Sequence, residues 1–186
     1  MSIKLFQTAT LTEAKPIIDR YDLKLYEKKP FSIYKNENAA LIISKIGKID
    51  ASIAASYAFC KFEISKIINI GICSCKNEKD LYKMFRIKSV IDKASDKKIS
   101  LKIKNSIFMK ASLTTFDKEA LHNAISPSPL IDMEAYGFLK ASMKFTKIEN
   151  IYIYKVASDL LENKIPKKEE VYAMIEKFLP DIEREI

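Results

Sequence analysis

Apolar and polar positions follow two rhythms along the chain, and the switches between them lay out its elements. Residues 3–9 form a short β-type run ending in Thr8-Ala9-Thr10, and Thr10 or Thr12 is placed to cap a helix through Arg20. Pro16 falls early in that helix, where its ring is better tolerated than further on. Residues 23–27, 31–35 and 39–46 read as strands separated by the turn-like KKP and NEN segments, so a hairpin or meander is expected. Gly47 breaks the pattern. Residues 49–62 then carry Ile49, Ile53, Ala54, Tyr57 and Ala58 at helical spacing with small residues between them, which predicts a helix lying close on a sheet.

Residues 66–73, KIINIGIC, are an apolar run short enough for a buried strand, with Gly71 near its end where backbone can approach a neighbour closely. The SCKNEKD that follows reads as loop. Residues 86–94, 99–104 and 106–113 are further strand-like runs. Residues 114–129 lack periodicity, and Ser126-Pro127-Ser128-Pro129 biases their end to an extended form. A loop of that length in a compact domain is often functional. Residues 130–145 are predicted helical, 151–156 a strand, and 167–186 a closing amphipathic helix with Val171, Ile175, Phe178, Leu179 and Ile182 on one face. No repeat, low-complexity tract or linker divides the chain, which predicts one α/β domain over residues 1–186.

Carboxylates collect at the junctions of this pattern. Glu13 falls where the first strand gives way to a helix, Asp132 and Glu134 at the start of the helical run, and Asp159 after Ser158 where the last strand ends. In open α/β sheets, ligands bind at the carboxyl ends of strands.

Composition narrows the function classes. At 186 residues, 48% of them apolar, the chain can cover a sheet on both faces, and no apolar run reaches membrane-spanning length. The formal charge of +8 is carried almost wholly by scattered lysines. Only Arg20, Arg86 and Arg184 offer the planar fork that reads bases or clamps phosphates, which argues against a nucleic-acid partner. Cys60, Cys73 and Cys75 are odd in number, and with His122 as the sole histidine a zinc ligand set is hard to assemble, so no metal site is expected. Reduced thiols and an N-terminus without export features suggest a cytoplasmic setting. His122 sits in the long loop, where it reads as a surface residue within reach of a site's mouth.

The ordered set TATLTEA, SKIGKIDAS, INIGICS, SLTTF, IDMEAYG and VASDL resembles the nucleoside phosphorylase and nucleosidase superfamily, especially the methylthioadenosine/S-adenosylhomocysteine nucleosidases, over nearly the whole chain. The resemblance implies a three-layer α/β/α fold with a central mixed sheet, and cleavage of a purine nucleoside's N-glycosidic bond. Asp159 matches the aspartate that bonds purine N7, with Ser158 beside it. Protonating N7 lets the base leave neutral while the sugar becomes oxocarbenium-like, and partial burial at a strand end favours a protonated carboxyl. Capping the next turn is the other use of an aspartate there. Glu134 matches the glutamate that accepts hydrogen bonds from the ribose 2′ and 3′ hydroxyls, a task suited to a two-oxygen acceptor. Met133 matches a residue packing on sugar and base, Phe116 an aromatic stacking on the purine, and Glu13 the glutamate that activates the attacking water. Without the resemblance, Glu13 and Asp132 are both helix-start residues.

The chain also departs from the pattern. Gly71-Ile72-Cys73-Ser74 stands where the family carries a small-residue G-S-A-G or G-S-C-G loop, so Ile72 replaces a hydroxyl and Ser74 is the substitute on the nucleophile side. Asn69 stands where one branch carries arginine, and the glycine-rich phosphate segment is missing. Hydrolysis is therefore expected, with no cofactor. A phosphorylase using phosphate as co-substrate and a non-catalytic nucleoside- or base-binding relative are the alternatives. A homodimer or larger homo-oligomer is implied by the resemblance alone.

Overall fold

The structure, a computed structural model, describes residues 2–120, 124–161 and 166–186. Among them the elements run β1 (Ile3–Thr8), α1 (Leu11–Tyr21), β2 (Lys24–Glu27), β3 (Ser32–Lys35), β4 (Ala39–Ile43), α2 (Lys48–Lys61), β5 (Ile64–Cys75), β6 (Met84–Asp92), β7 (Lys98–Ser100), β8 (Met109–Thr115), β9 (Leu130–Asp132), α3 (Ala135–Ser142), β10 (Ile151–Asp159) and α4 (Lys168–Glu185). No helix among the described residues is long and apolar enough to cross a membrane.

All the strands join one mixed sheet. β5 takes β1 on one side and β10 on the other, both parallel. Beyond β1 lies parallel β4, followed by antiparallel β3 and β2, the early meander that the turn residues predict. On the other side β6 runs antiparallel to β10, and β8 parallel to β6. β9 then lies parallel to β8 and returns to the end of β5, where Leu130 and Ile131 pair with Cys75 and Ser74. The circuit β5–β10–β6–β8–β9 is closed, because β5 extends far enough to pair with two partners along the same side. The β5–β10 register slips between Ala157 and Asp159, and such a bulge re-aims the end of a strand.

Residues on the central strands alternate between two cores. Leu5, Ile67, Ile151 and Ile153 face α2 and α3, whereas Phe6, Ile68, Ile70, Tyr154 and Val156 face α1 and α4. These strands are covered on both faces, and so they read as near-continuous apolar runs. Helices on both sides of a mixed sheet give the expected three-layer α/β/α architecture. Val171, Ile175, Leu179 and Ile182 bury one face of α4 as its spacing predicts.

Residues 130–145 are not one helix. Leu130–Asp132 is a strand and the helix begins at Ala135. A short apolar pair suits either state locally, and the open edge of β5 decides for the strand. Likewise β7, Lys98–Ser100, takes up only the first two residues of the run read over 99–104, and β8 takes Thr114 and Thr115 from the stretch read as loop. Ser74 and Cys75 extend β5 into the segment read as loop.

Gly137 fixes how α3 meets the start of α2. A Cβ there would lie 1.8 Å from the Lys48 carbonyl oxygen, and backbone cannot yield cheaply. Gly137→Ala is expected to destabilise the protein by about 3 kcal/mol or more, read as a lower urea midpoint.

Candidate active site

A cavity of about 580 Å³ opens at the carboxyl ends of the central parallel strands, a size typical of small-molecule sites. Glu13, Ser74, Met133, Glu134, Ser158 and Asp159 all lie on its wall, drawn together from four parts of the chain.

Glu13 is at the third position of α1, and local chemistry places it there. The Thr10 hydroxyl accepts from the Glu13 N–H, while Glu13 Oε2 accepts from the Thr10 N–H at 2.9 Å, a capping box. The Ala9 N–H and the Thr10 hydroxyl also donate to Oε2. The other oxygen reaches across to β5, where Oε1 accepts from the Ile72 N–H at 3.0 Å. Glu13 is thus both the helix-start residue of its local pattern and a carboxylate on the cavity wall, with Oε1 free to accept one further donor. Gly71 makes this possible: a Cβ there would stand 2.7 Å from Glu13 Oε1. The close approach expected at this glycine is the approach of Glu13.

Glu134 caps α3 by position but not by side chain. Its Oε1 instead accepts from the Gly47 N–H at 3.1 Å, which ties it to the start of α2. Burial pushes its carboxyl up to about 7. Asp132 and Glu13 add to that push, and the Lys155 ammonium and the Gly47 N–H hold it back.

Lys155 is the residue that sequence reasoning missed. It lies in β10 at a position whose alternation faces the α2–α3 core, and its side chain is 2% exposed. Its Nζ stands 2.9 Å from Asp132 Oδ2 and 3.8 Å from Glu134 Oε2, beneath the cavity wall. Burial works against the ammonium, but Asp132, Glu134 and Glu13 outweigh it and hold the pKa above the ordinary lysine value. One signal was available: a lone lysine inside the strand IYIYKVAS, on the face where its neighbours two residues away are apolar. Asp132 is not in the helix as expected but ends β9, from where it accepts from the Ala135 N–H at the start of α3 at 2.9 Å. It does more than that, because it also accepts from the Thr115 hydroxyl at 2.7 Å and pairs with Lys155.

Asp159, also on the cavity wall, accepts through Oδ2 from the Ser158 hydroxyl at 2.8 Å and through Oδ1 from the Leu161 N–H at 3.0 Å. Capping the following turn and facing the cavity are therefore compatible. These two bonds fix the carboxyl plane and leave each oxygen further acceptor capacity.

Phe116 and the arginines stand elsewhere. The Phe116 N–H bonds the Asp132 carbonyl, but its side chain lines a neighbouring open depression beside Lys93 and Ala94. The strand pairing of β8 with β9 fixes its backbone, and Phe116 lines that depression and not the cavity. Arg20 pairs with Glu183 on the surface. Arg86 is buried between the rings of Tyr152 and Tyr154, so among the described residues no arginine lines the cavity. His122 lies outside the described residues.

This sheet, with its helices on both faces and its cavity at the strand ends, has the fold of solved nucleosidases. The 5′-methylthioadenosine nucleosidase of Arabidopsis thaliana superposes with a TM-score of 0.81 at 16% identity, over 99% of this chain and 95% of that one. The 5′-methylthioadenosine/S-adenosylhomocysteine nucleosidase of Helicobacter pylori, solved with butyl-thio-DADMe-Immucillin-A, gives 0.79 at 14% identity, over 100% and 99%. A futalosine hydrolase mutant of Helicobacter pylori gives 0.81 at 13% identity, over 100% of both chains. No protein-family model matches the sequence, and no curated protein matches it.

Proposed function

We propose that the chain hydrolyses the N-glycosidic bond of a purine nucleoside or a 5′-modified purine nucleoside. The observation that carries this reading is the convergence of Glu13, Glu134 and Asp159 on one cavity from three distant parts of the sequence. In this reading Glu134 accepts the ribose hydroxyls, and its charge favours the oxocarbenium-like sugar. Asp159 gives a proton to purine N7, with Ser158 orienting the carboxyl. As the C1′–N9 bond breaks, its electron pair leaves with the base. A water oxygen bonds to C1′ and yields its proton to Glu13. Met133 packs against the sugar or base, and Ser74 borders the water side.

Charge favours water over phosphate as the nucleophile. Glu13, Asp132 and Glu134 surround a single buried ammonium, so their cluster carries excess negative charge that repels a phosphate dianion. Adenine release from methylthioadenosine or adenosine in phosphate-free buffer is the expected result, followed by chromatography. Release only on adding phosphate would replace this reading with a phosphorylase. Binding without any release would make the chain a non-catalytic nucleoside-binding relative.

A further inference from the structure

We infer that Asp132 is a positioning residue whose carboxylate holds the Lys155 ammonium off Glu134, so that Glu134 keeps its acceptor capacity for the ribose diol. The inference rests on reading Glu134 as the ribose acceptor. Lys155 is the only cation with a carboxylate of this cluster in salt-bridge range among the described residues, and two carboxylates compete for it. Its Nζ is 2.9 Å from Asp132 and 3.8 Å from Glu134, so Asp132 has it in direct contact. Asp132 itself is held from two further sides. The Thr115 hydroxyl donates to Oδ1, and the Ala135 N–H donates to the same Oδ2 that receives the ammonium. Thr115 is anchored in turn, because its oxygen accepts from the Tyr136 N–H at 3.0 Å. Asp132 therefore cannot follow the lysine, whereas the long lysine side chain can swing.

Without the Asp132 charge, a buried ammonium takes the nearest anion, and that is Glu134. An ammonium bound there occupies a carboxylate lone pair and neutralises the charge that favours the ribosyl cation. The groups facing Glu134 are Glu13 from α1, the Gly47 N–H ahead of α2, Asp132 from β9 and Lys155 from β10. Cys73 of β5 lines the same cavity, and burial holds its thiol well above the usual range, so it stays neutral.

The test follows the Glu134 carboxyl carbon by ¹³C NMR against pH, with the resonance assigned by its loss in Glu134→Gln. In the unaltered protein the midpoint is expected at about 7. In Asp132→Asn it is expected to fall by about one unit or more, as the like charge goes and the ammonium closes in. The double variant Asp132→Asn/Lys155→Met is expected to return it to near or above its starting value, a non-additive result. An unchanged midpoint in Asp132→Asn overturns the inference, and so does a double variant that stays low. If Asp132→Asn does not fold, a crystal structure of the unaltered protein at pH 8 decides. Nζ on Asp132 supports the inference, and Nζ shifted onto Glu134 overturns it. None of these readouts needs turnover, so the absence of nucleosidase activity would remain a separate result.

Discussion

Asp159→Asn is expected to lower kcat for base release by about 10³-fold, near the middle of the range for losing a positioned proton donor. The change is isosteric. The asparagine oxygen can keep the Leu161 N–H bond, and its amide can still donate a hydrogen bond to N7. It cannot transfer a proton to N7, so the base must leave as an anion. KM should therefore move little while kcat collapses, the pattern of an interaction made in the transition state. Steady-state kinetics at saturating methylthioadenosine, with a melting curve to show the fold intact, provide the check. A fall of less than about tenfold would mean that Asp159 only caps its turn.

Glu134→Gln is expected to make the protein more stable and nearly inactive. The Glu134 carboxyl titrates at about 7 in the folded chain against an ordinary 4.5. Between those values the folded state holds a proton that the unfolded state has released, so this group's contribution is fully present below pH 4.5 and lost as pH rises through 7. At pH 8 the ionised carboxyl costs roughly 2–4 kcal/mol, and a neutral glutamine avoids that cost. Its side-chain oxygen still accepts from Gly47, and Lys155 keeps Asp132. Scanning calorimetry should show a Tm gain of about 5 °C or more at pH 8 and almost none at pH 5. Turnover should fall by about 10²–10³-fold, because an amide accepts less strongly from the diol and offers no charge to the ribosyl cation. Equal Tm values at both pH values would show that Glu134 is not held against its own ionisation. The same titration sets the pH dependence expected of the proposed activity: below about pH 7 a growing fraction of Glu134 is protonated, and kcat/KM should decline with it.

Much of the fold was legible because its cause is local. The helix cap at Thr10, the apolar runs of the central strands and the stripe along α4 are set by neighbours a few residues apart. Element boundaries failed where a distant partner decided them. β9 exists because the end of β5 offers an unpaired edge, and residues 130–132 alone do not record that edge. Phe116 shows the converse, since its position after a strand was readable but the depression it lines was not.

By itself the sequence determined an α/β chain whose carboxylates gather at strand ends, because hydrophobic period and helix capping are short-range effects. It also determined which carboxylates to examine, through their order along the chain. Only the tertiary structure decided how they share charge. Lys155 and Asp132 lie 23 positions apart and meet only because β10 and β9 both border the end of β5. Burial there turns an ordinary lysine into the counter-ion of three carboxylates. Electrostatic energy depends on distance and desolvation, and both are set by packing and not by the order of residues.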